Sequence, residues 1–190
     1  MNQSAFSQIL RRYAEIEREV QLLIGSRCGA VCELCSSCCC RADICEEAFE
    51  SPFLKKLHGQ SADSTAFSDG YGWLTEHGCG LAIGRPPVCY EFFCDELLAS
   101  QPDETHRYVL RLLGTLVSYI GRNALGHTHL VEITNEADLD RLSFEHIKGK
   151  LNQAIAALEH IRLFHDNGFL DPSTLEQFRP ILHLSAELNE

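Results

Sequence analysis

The grouping of its ten cysteines constrains this chain more than any other feature. Seven lie between Cys28 and Cys45, three between Cys79 and Cys94, and none in the second half of the chain. One cysteine is easily a small buried hydrophobe, but hydrophobes scattered through a core do not gather into two short stretches. Disulfides, metal ligation or thiol redox chemistry remain. The N-terminal sequence MNQSAFSQILRRYAEIEREV has no apolar export core, and no window reaches the roughly 18 uncharged apolar residues that a spanning helix needs. The expected location is therefore a reducing cytoplasm, where disulfide frameworks are rare.

The formal charge of −11, from 27 acidic against 16 basic residues, contains no dense basic stripe. Such a surface repels phosphate backbones and anionic bilayers, so neither a nucleic acid nor a membrane is an expected partner. With 45% hydrophobic residues over 190 positions, the chain can build a core of its own, and a metal would add to that core.

Periodicity organises the rest. Phe6, Ile9, Leu10, Tyr13, Ile16, Val20, Leu23 and Ile24 recur at steps of three and four, which predicts an amphipathic helix over 5–24 ended by Gly25. From there to Cys45 the shape is expected to be set by ligation. A short helix is expected over 46–58, broken at Pro52, then loops and one hairpin between Gly59 and Pro87. Tyr108, Val109, Leu112, Leu113, Leu116, Val117 and Ile120 predict a second long helix from Asp103 to near Gly126. An extended piece follows at His129–Ile133. A third helix spans about 143–165 with a Gly168 stop, and a last one opens at Asp171 with Pro172 in its first turn, or at Ser173 with Glu176 as a capping box. The expected fold is mainly α: one domain over 1–190, a three- to four-helix bundle from 5–24 and 103–185, and an irregular cysteine-rich metal-binding lobe at about 28–94.

Within that lobe Cys32, Cys35 and Cys38 stand at CxxC spacing twice over and are followed directly by Cys39 and Cys40. Two-residue gaps let a tight turn aim successive sulfurs at one centre, and iron–sulfur proteins use such a tripod with one distant cysteine. Zinc sites more often pair two CxxC knuckles. Cys79, Cys89 and Cys94, with gaps of nine and four residues, offer single ligands and no second knuckle. This asymmetry favours an iron–sulfur cluster, of the 4Fe–4S kind, over zinc. Adjacent side chains point apart and a vicinal disulfide is strained, so Cys38 and Cys39 are expected to serve different centres. Ten thiolates at four per site allow two centres, or one with spare thiols.

Two segments carry a resemblance. CELCSSCC, with Cys32 to Cys39 spelling CxxCxxCC, and GCGLAIGRPPVCYEFFC, from Gly78 to Cys94, together resemble the signatures of the bacterial zinc- or iron-chelating domain family, the CxxCxxCC cysteine-cluster family. The likeness covers about residues 28–94. It implies chelation by Cys32, Cys35, Cys38, Cys39, Cys79, Cys89 and Cys94; Cys28, Cys40 and Cys45 fall outside the shared motif. Cys28, Cys32 and Cys35 also spell CxxxCxxC, which is similar to the cluster motif of radical S-adenosylmethionine enzymes, but this chain lacks the strands and the length of their barrels. The resemblance extends to flagellin lysine methylases, which implies methyl transfer as one role; no glycine-rich cofactor fingerprint accompanies it here.

Other residues weigh less. His127 and His129 would face one side if extended, although loop-end histidines are the simpler reading, and His160 and His165 are expected to face solvent. Arg85 could donate to a cluster sulfur or a bound anion from outside the ligand shell, or pair with a carboxylate. Trp73 and Tyr71 could shield the lobe from water, with ordinary packing favoured. Glu136, Asp138 and Asp140 suit the positive end of a helix. The expected function is metal binding through thiolates for electron transfer, metal or cluster handling, or regulation of a protein partner. A metal-dependent enzyme that modifies a protein side chain and a thiol redox sensor are the alternatives. Metal removal is expected to unfold the lobe, because it lacks periodic apolar faces.

Overall fold

The computed structural model describes residues 3–33, 40–59, 67–76 and 78–182 and is mainly helical. Helix α1 spans Gln3–Glu33, well beyond the stop expected at Gly25. A glycine inside a helix costs only about 1 kcal/mol relative to alanine, and the apolar face continues past it: Phe6, Ile9, Leu10, Tyr13, Ile16 and Val20 are buried, and so, one turn beyond Gly25, is Cys28. Residues 28–33 are thus helical before any ion is considered, contrary to the expectation that ligation shapes them.

The break at Pro52 is present. Helix α2 spans Ala42–Glu50 and α3 spans Pro52–His58. Ser51 between them accepts a hydrogen bond from the Leu54 amide at 3.3 Å, and Pro52, which has no N–H to lose, takes the first turn. The hairpin is the pair β1 (Leu74–Thr75) and β2 (Gly78–Cys79), antiparallel with Leu74 opposite Cys79. Two short helices were not foreseen, α4 (Val88–Glu91) and α5 (Asp95–Ala99); at four and five residues they are too short to show a period.

Helix α6 spans Glu104–Gly121, with the Asp103 carboxylate accepting from the His106 amide at 2.9 Å. It ends five residues before Gly126. Residues 130–132 form a 3₁₀ turn where an extended piece was expected, because His129 and Glu132 make a reciprocal cap at its start. A second 3₁₀ turn, Glu136–Arg141, precedes α7 (Phe144–Asn167), which is capped by Ser143 and stops at Gly168. Helix α8 spans Pro172–Leu182, and Asp171 accepts from the Ser173 amide at 2.7 Å, the first of the two openings expected.

Helices α1, α6 and α7 pack against one another pairwise, and α8 lies on α6 and α7. The cysteine-bearing segments share this interior. Phe53, Leu54 and Leu57 of α3 are fully buried, and Trp73, Ile83 and Tyr90 belong to the same apolar cluster as Leu113 and Leu151. Gly114 on α6 makes the contact with α4 close: a β-carbon there would lie 2.4 Å from the Tyr90 carbonyl oxygen. Among the described residues no helix is long and apolar enough to cross a membrane.

Candidate metal centre

Seven cysteines fall within the described residues: Cys28, Cys32, Cys40, Cys45, Cys79, Cys89 and Cys94. Cys35, Cys38 and Cys39 lie outside the described residues. The seven form two neighbourhoods.

The first is built on α1. Cys28 and Cys32 are four residues apart on one helical face, so their sulfurs are kept in step by the helix itself. Cys94, at the start of α5, joins them from a distant part of the chain. Cys28 is buried with Leu97 and Leu110 in a small apolar cluster separate from the main core, and Cys94 packs against it. Burial first, and then the neighbouring Cys32 and Cys94, push the Cys28 thiol up to about 11. In the absence of a cation it therefore keeps its proton at neutral pH.

The second neighbourhood joins Cys40, Cys45, Cys79 and Cys89. Cys45 on α2 is buried, with its sulfur directly over Gly72. That glycine has φ +61, and a β-carbon on it would sit 2.6 Å from the Cys45 sulfur. Any side chain at 72 would thus be strained and would displace the thiol. The Trp73 amide donates to the same sulfur, which opposes the upward push of burial. The Trp73 carbonyl also accepts from the Gly80 amide at 2.7 Å, so the backbone of one residue connects Cys45 to the hairpin that carries Cys79. Cys89 on α4 is exposed at its surface yet surrounded by protein on its other sides. Burial raises its thiol to about 12, Cys45 and Cys79 add to that, Arg85 opposes it, and Cys40 adds again.

Arg85 stands outside the thiols. It donates to the carbonyls of Leu81 at 2.8 Å and Cys79 at 3.3 Å, and its charge faces Cys89. Its hydrogen bonds thus go to backbone oxygens, while its charge also acts on the Glu17 carboxylate. The carboxylate that matters here is Glu17, on α1 and fully buried. It accepts from the amides of Gly84 at 2.8 Å and Arg85 at 2.9 Å and from the Tyr90 hydroxyl at 2.6 Å. Burial raises its pKa, and these three donors pull it back. Gln21, one turn on, donates to Tyr90 and to the Ala82 carbonyl. The loop that presents Cys89 is thereby clamped to α1 from both sides. In the sequence the one trace of this role is an acid placed between Tyr13 and Val20 on the apolar face, with nothing to name its partners.

Other candidates take ordinary roles. His129 accepts from the Val131 amide through Nδ1, so Nε2 carries the proton and donates to the Ser118 carbonyl at 2.8 Å. His127 and His129 line a cleft of about 430 Å³ whose lining holds no cysteine. His160 and His165 are half-buried where solvent exposure was expected: His160 meets Phe178 edge-on, and the Nδ1 of His165 is buried without a partner. Trp73 is packed among Phe49, Phe67 and His58, while Tyr71 is 67% exposed. Glu136 pairs with Lys56 and Asp138 with Arg141 in a 3₁₀ turn.

Among the described residues, no three Cys, His, Asp or Glu side chains stand close enough, as placed, to hold an ion. The donor set nevertheless fits a thiophilic metal. It is sulfur-rich, it draws on segments far apart in sequence, and at Cys45 a backbone N–H faces the sulfur. No family model matches the chain, and neither the curated proteins nor the solved structures provide a match.

Proposed function

We propose that this chain is a metal–thiolate protein whose cysteines hold an iron–sulfur cluster or zinc, and that it acts in electron transfer, metal or cluster handling, or regulation of a protein partner. The observation that carries the reading is the meeting of free thiols from distant stretches, Cys28 with Cys94 and Cys45 with Cys79. The CxxCxxCC run, with its tripod spacing, supports a 4Fe–4S cluster over zinc. A three- to four-helix bundle bearing a cysteine lobe, working in a reducing cytoplasm, belongs to the same reading.

When bound, a cluster would supply one-electron chemistry, and zinc would supply a closed structural centre. The protein's own contribution is ligand placement: the α1 register for Cys28 and Cys32, the Gly72–Trp73 peptide for Cys45, and the Glu17 clamp for Cys89. Purification without oxygen, followed by iron, sulfide and zinc analysis and visible absorption, tests this. Brown protein with matching iron and sulfide supports the cluster, and colourless protein with stoichiometric zinc supports the metal reading with zinc. Protein with neither metal, whose thiols cycle reversibly under mild oxidant, overturns it.

A further inference from the structure

We propose that the trough between α2 and α4 docks a basic segment of a partner protein, with a cationic side chain between Glu47 and Glu132 and an apolar one on Val88. The trough is the cleft of about 430 Å³ that His127 and His129 line, and no cysteine borders it. Such a partner suits the regulatory role proposed for the chain. It needs no metal, so docking here and binding of an ion at the thiols can fail separately.

Four elements shape the trough. Helix α2 supplies Glu47, α4 supplies Val88 and Glu91, the end of α6 supplies Arg122, and the 3₁₀ turn 130–132 supplies Glu132. Much of the charge inside is already matched. Arg122 donates to the Ile181 carbonyl at 3.0 Å and stands 3.6 Å from Glu91, which also bonds the Ser118 hydroxyl. Glu47 differs. It is half-buried, no described residue offers its carboxylate a hydrogen bond or an ion pair, and the charges that act on it are those of Glu132 and Glu50. A half-buried carboxylate with like charges around it is held at a cost that an incoming cation removes. A bare metal ion does not suit the place, because among the described residues no three acidic, histidine or cysteine side chains come close enough to hold one. The cation that fits is a larger, organic one. Val88, 41% exposed on the wall, gives its stem an apolar surface, and Phe92, one turn along, is 59% exposed beside it. A net charge of −11 draws basic segments towards the chain and repels acidic ones.

Fluorescence anisotropy of a short labelled peptide of arginine, leucine and alanine, added to the full-length chain, tests this. Wild type is expected to bind it saturably and to ignore the matched peptide with glutamate in place of arginine. Glu47→Gln should weaken binding about tenfold, as for the loss of one charge-assisted hydrogen bond. Glu159→Gln removes an equal charge from the exposed surface of α7 and should change binding less than about twofold. Val88→Ser should weaken the peptide too and leave a leucine-free peptide unaffected. Far-UV circular dichroism monitors folding, and Val88→Ser carries the test if Glu47→Gln is misfolded. No saturable binding by wild type overturns the proposal. Equal weakening by Glu47→Gln and Glu159→Gln also overturns it, because the attraction would then be one of net charge alone. Binding unchanged in both Glu47→Gln and Val88→Ser would seat the peptide elsewhere, and its displacement by magnesium at constant ionic strength would seat a metal ion in the trough; either result overturns the docking.

Discussion

The helical core and the 67–94 segment are held by different means, although they share one interior. In α6 and α7 most of the work is done by many buried apolar residues, along one face of α7 and all round α6 from Leu112 to Gly121, with Gly114 as the one close approach named above. In the 67–94 segment single contacts specify the geometry, namely the Gly72 approach to Cys45, the Trp73 peptide, and the Glu17 carboxylate beneath Gly84, Arg85 and Tyr90. Repetitive packing tolerates exchange among similar side chains. Contacts of the second kind tolerate almost none, yet each contributes less to stability than a core leucine.

That contrast can be broken or sharpened by substitution. The largest effect is expected at Leu113, fully buried on α6, where Leu113→Ala should cost about 2–5 kcal/mol in denaturant unfolding. Trp73 is the only tryptophan and lies in the same apolar cluster. Its fluorescence and the helical circular dichroism should therefore shift together; a Trp73 transition left unmoved would mean that the two regions are uncoupled. Next come the specifying contacts. Gly72→Ala forces a strained backbone against a sulfur and should cost about 1–3 kcal/mol. Glu17→Gln sets an amide N–H₂ against donors that need an acceptor and should likewise cost about 1–3 kcal/mol. If both variants melted like wild type, the segment would not depend on these contacts.

A smaller effect is expected from pH. Burial, aided by Arg27 and His106, pushes His165 down to about 4 from an ordinary 6.5, so between these values the unfolded chain binds a proton that the folded chain refuses. Stability should thus fall as the pH drops from 6.5 towards 4, and His165→Gln should flatten that part of the profile, measured as the melting temperature across pH. The smallest effect is expected at the exposed Arg162–Glu19 pair, 2.7 Å apart, where Arg162→Ala should cost about 0.2–1 kcal/mol and less in high salt.

The sequence shows the long helices well, because α6 and α7 pair a 3.6-residue period with Asp103 and Ser143 as caps. It misleads at Gly25, where a residue that often ends helices lies inside one that packing sustains. It also hides Glu17, because an acid on an apolar stripe has meaning only once its three donors, 67 to 73 residues away, are known. For the candidate site, spacing shows which residues can act as sulfur donors. It does not show how they divide, since Cys28 is closer in sequence to Cys45 than to Cys94 yet packs with Cys94. The cysteine region shows no periodic apolar face in the sequence, yet it buries Phe53, Leu54 and Leu57 completely. The buried residues of α3 sit one after another over 52–54 and then at 57, a run too short to reveal a period.

The Glu17 clamp also fixes the axial position of α1. A helix with a uniform apolar stripe can slide by one turn along its neighbours at little cost, because leucine replaces isoleucine in each hollow. Here such a slip would bring Tyr13 or Gln21 opposite the amides of Gly84 and Arg85. Tyr13 carries no carboxylate, and Gln21 offers one amide oxygen where Glu17 offers two carboxylate oxygens, while the slip breaks its own bonds to Ala82 and Tyr90. With Glu17 the one buried carboxylate of α1, the helix is indexed like a key with a single notch, and the thiols four residues apart near its far end inherit that setting.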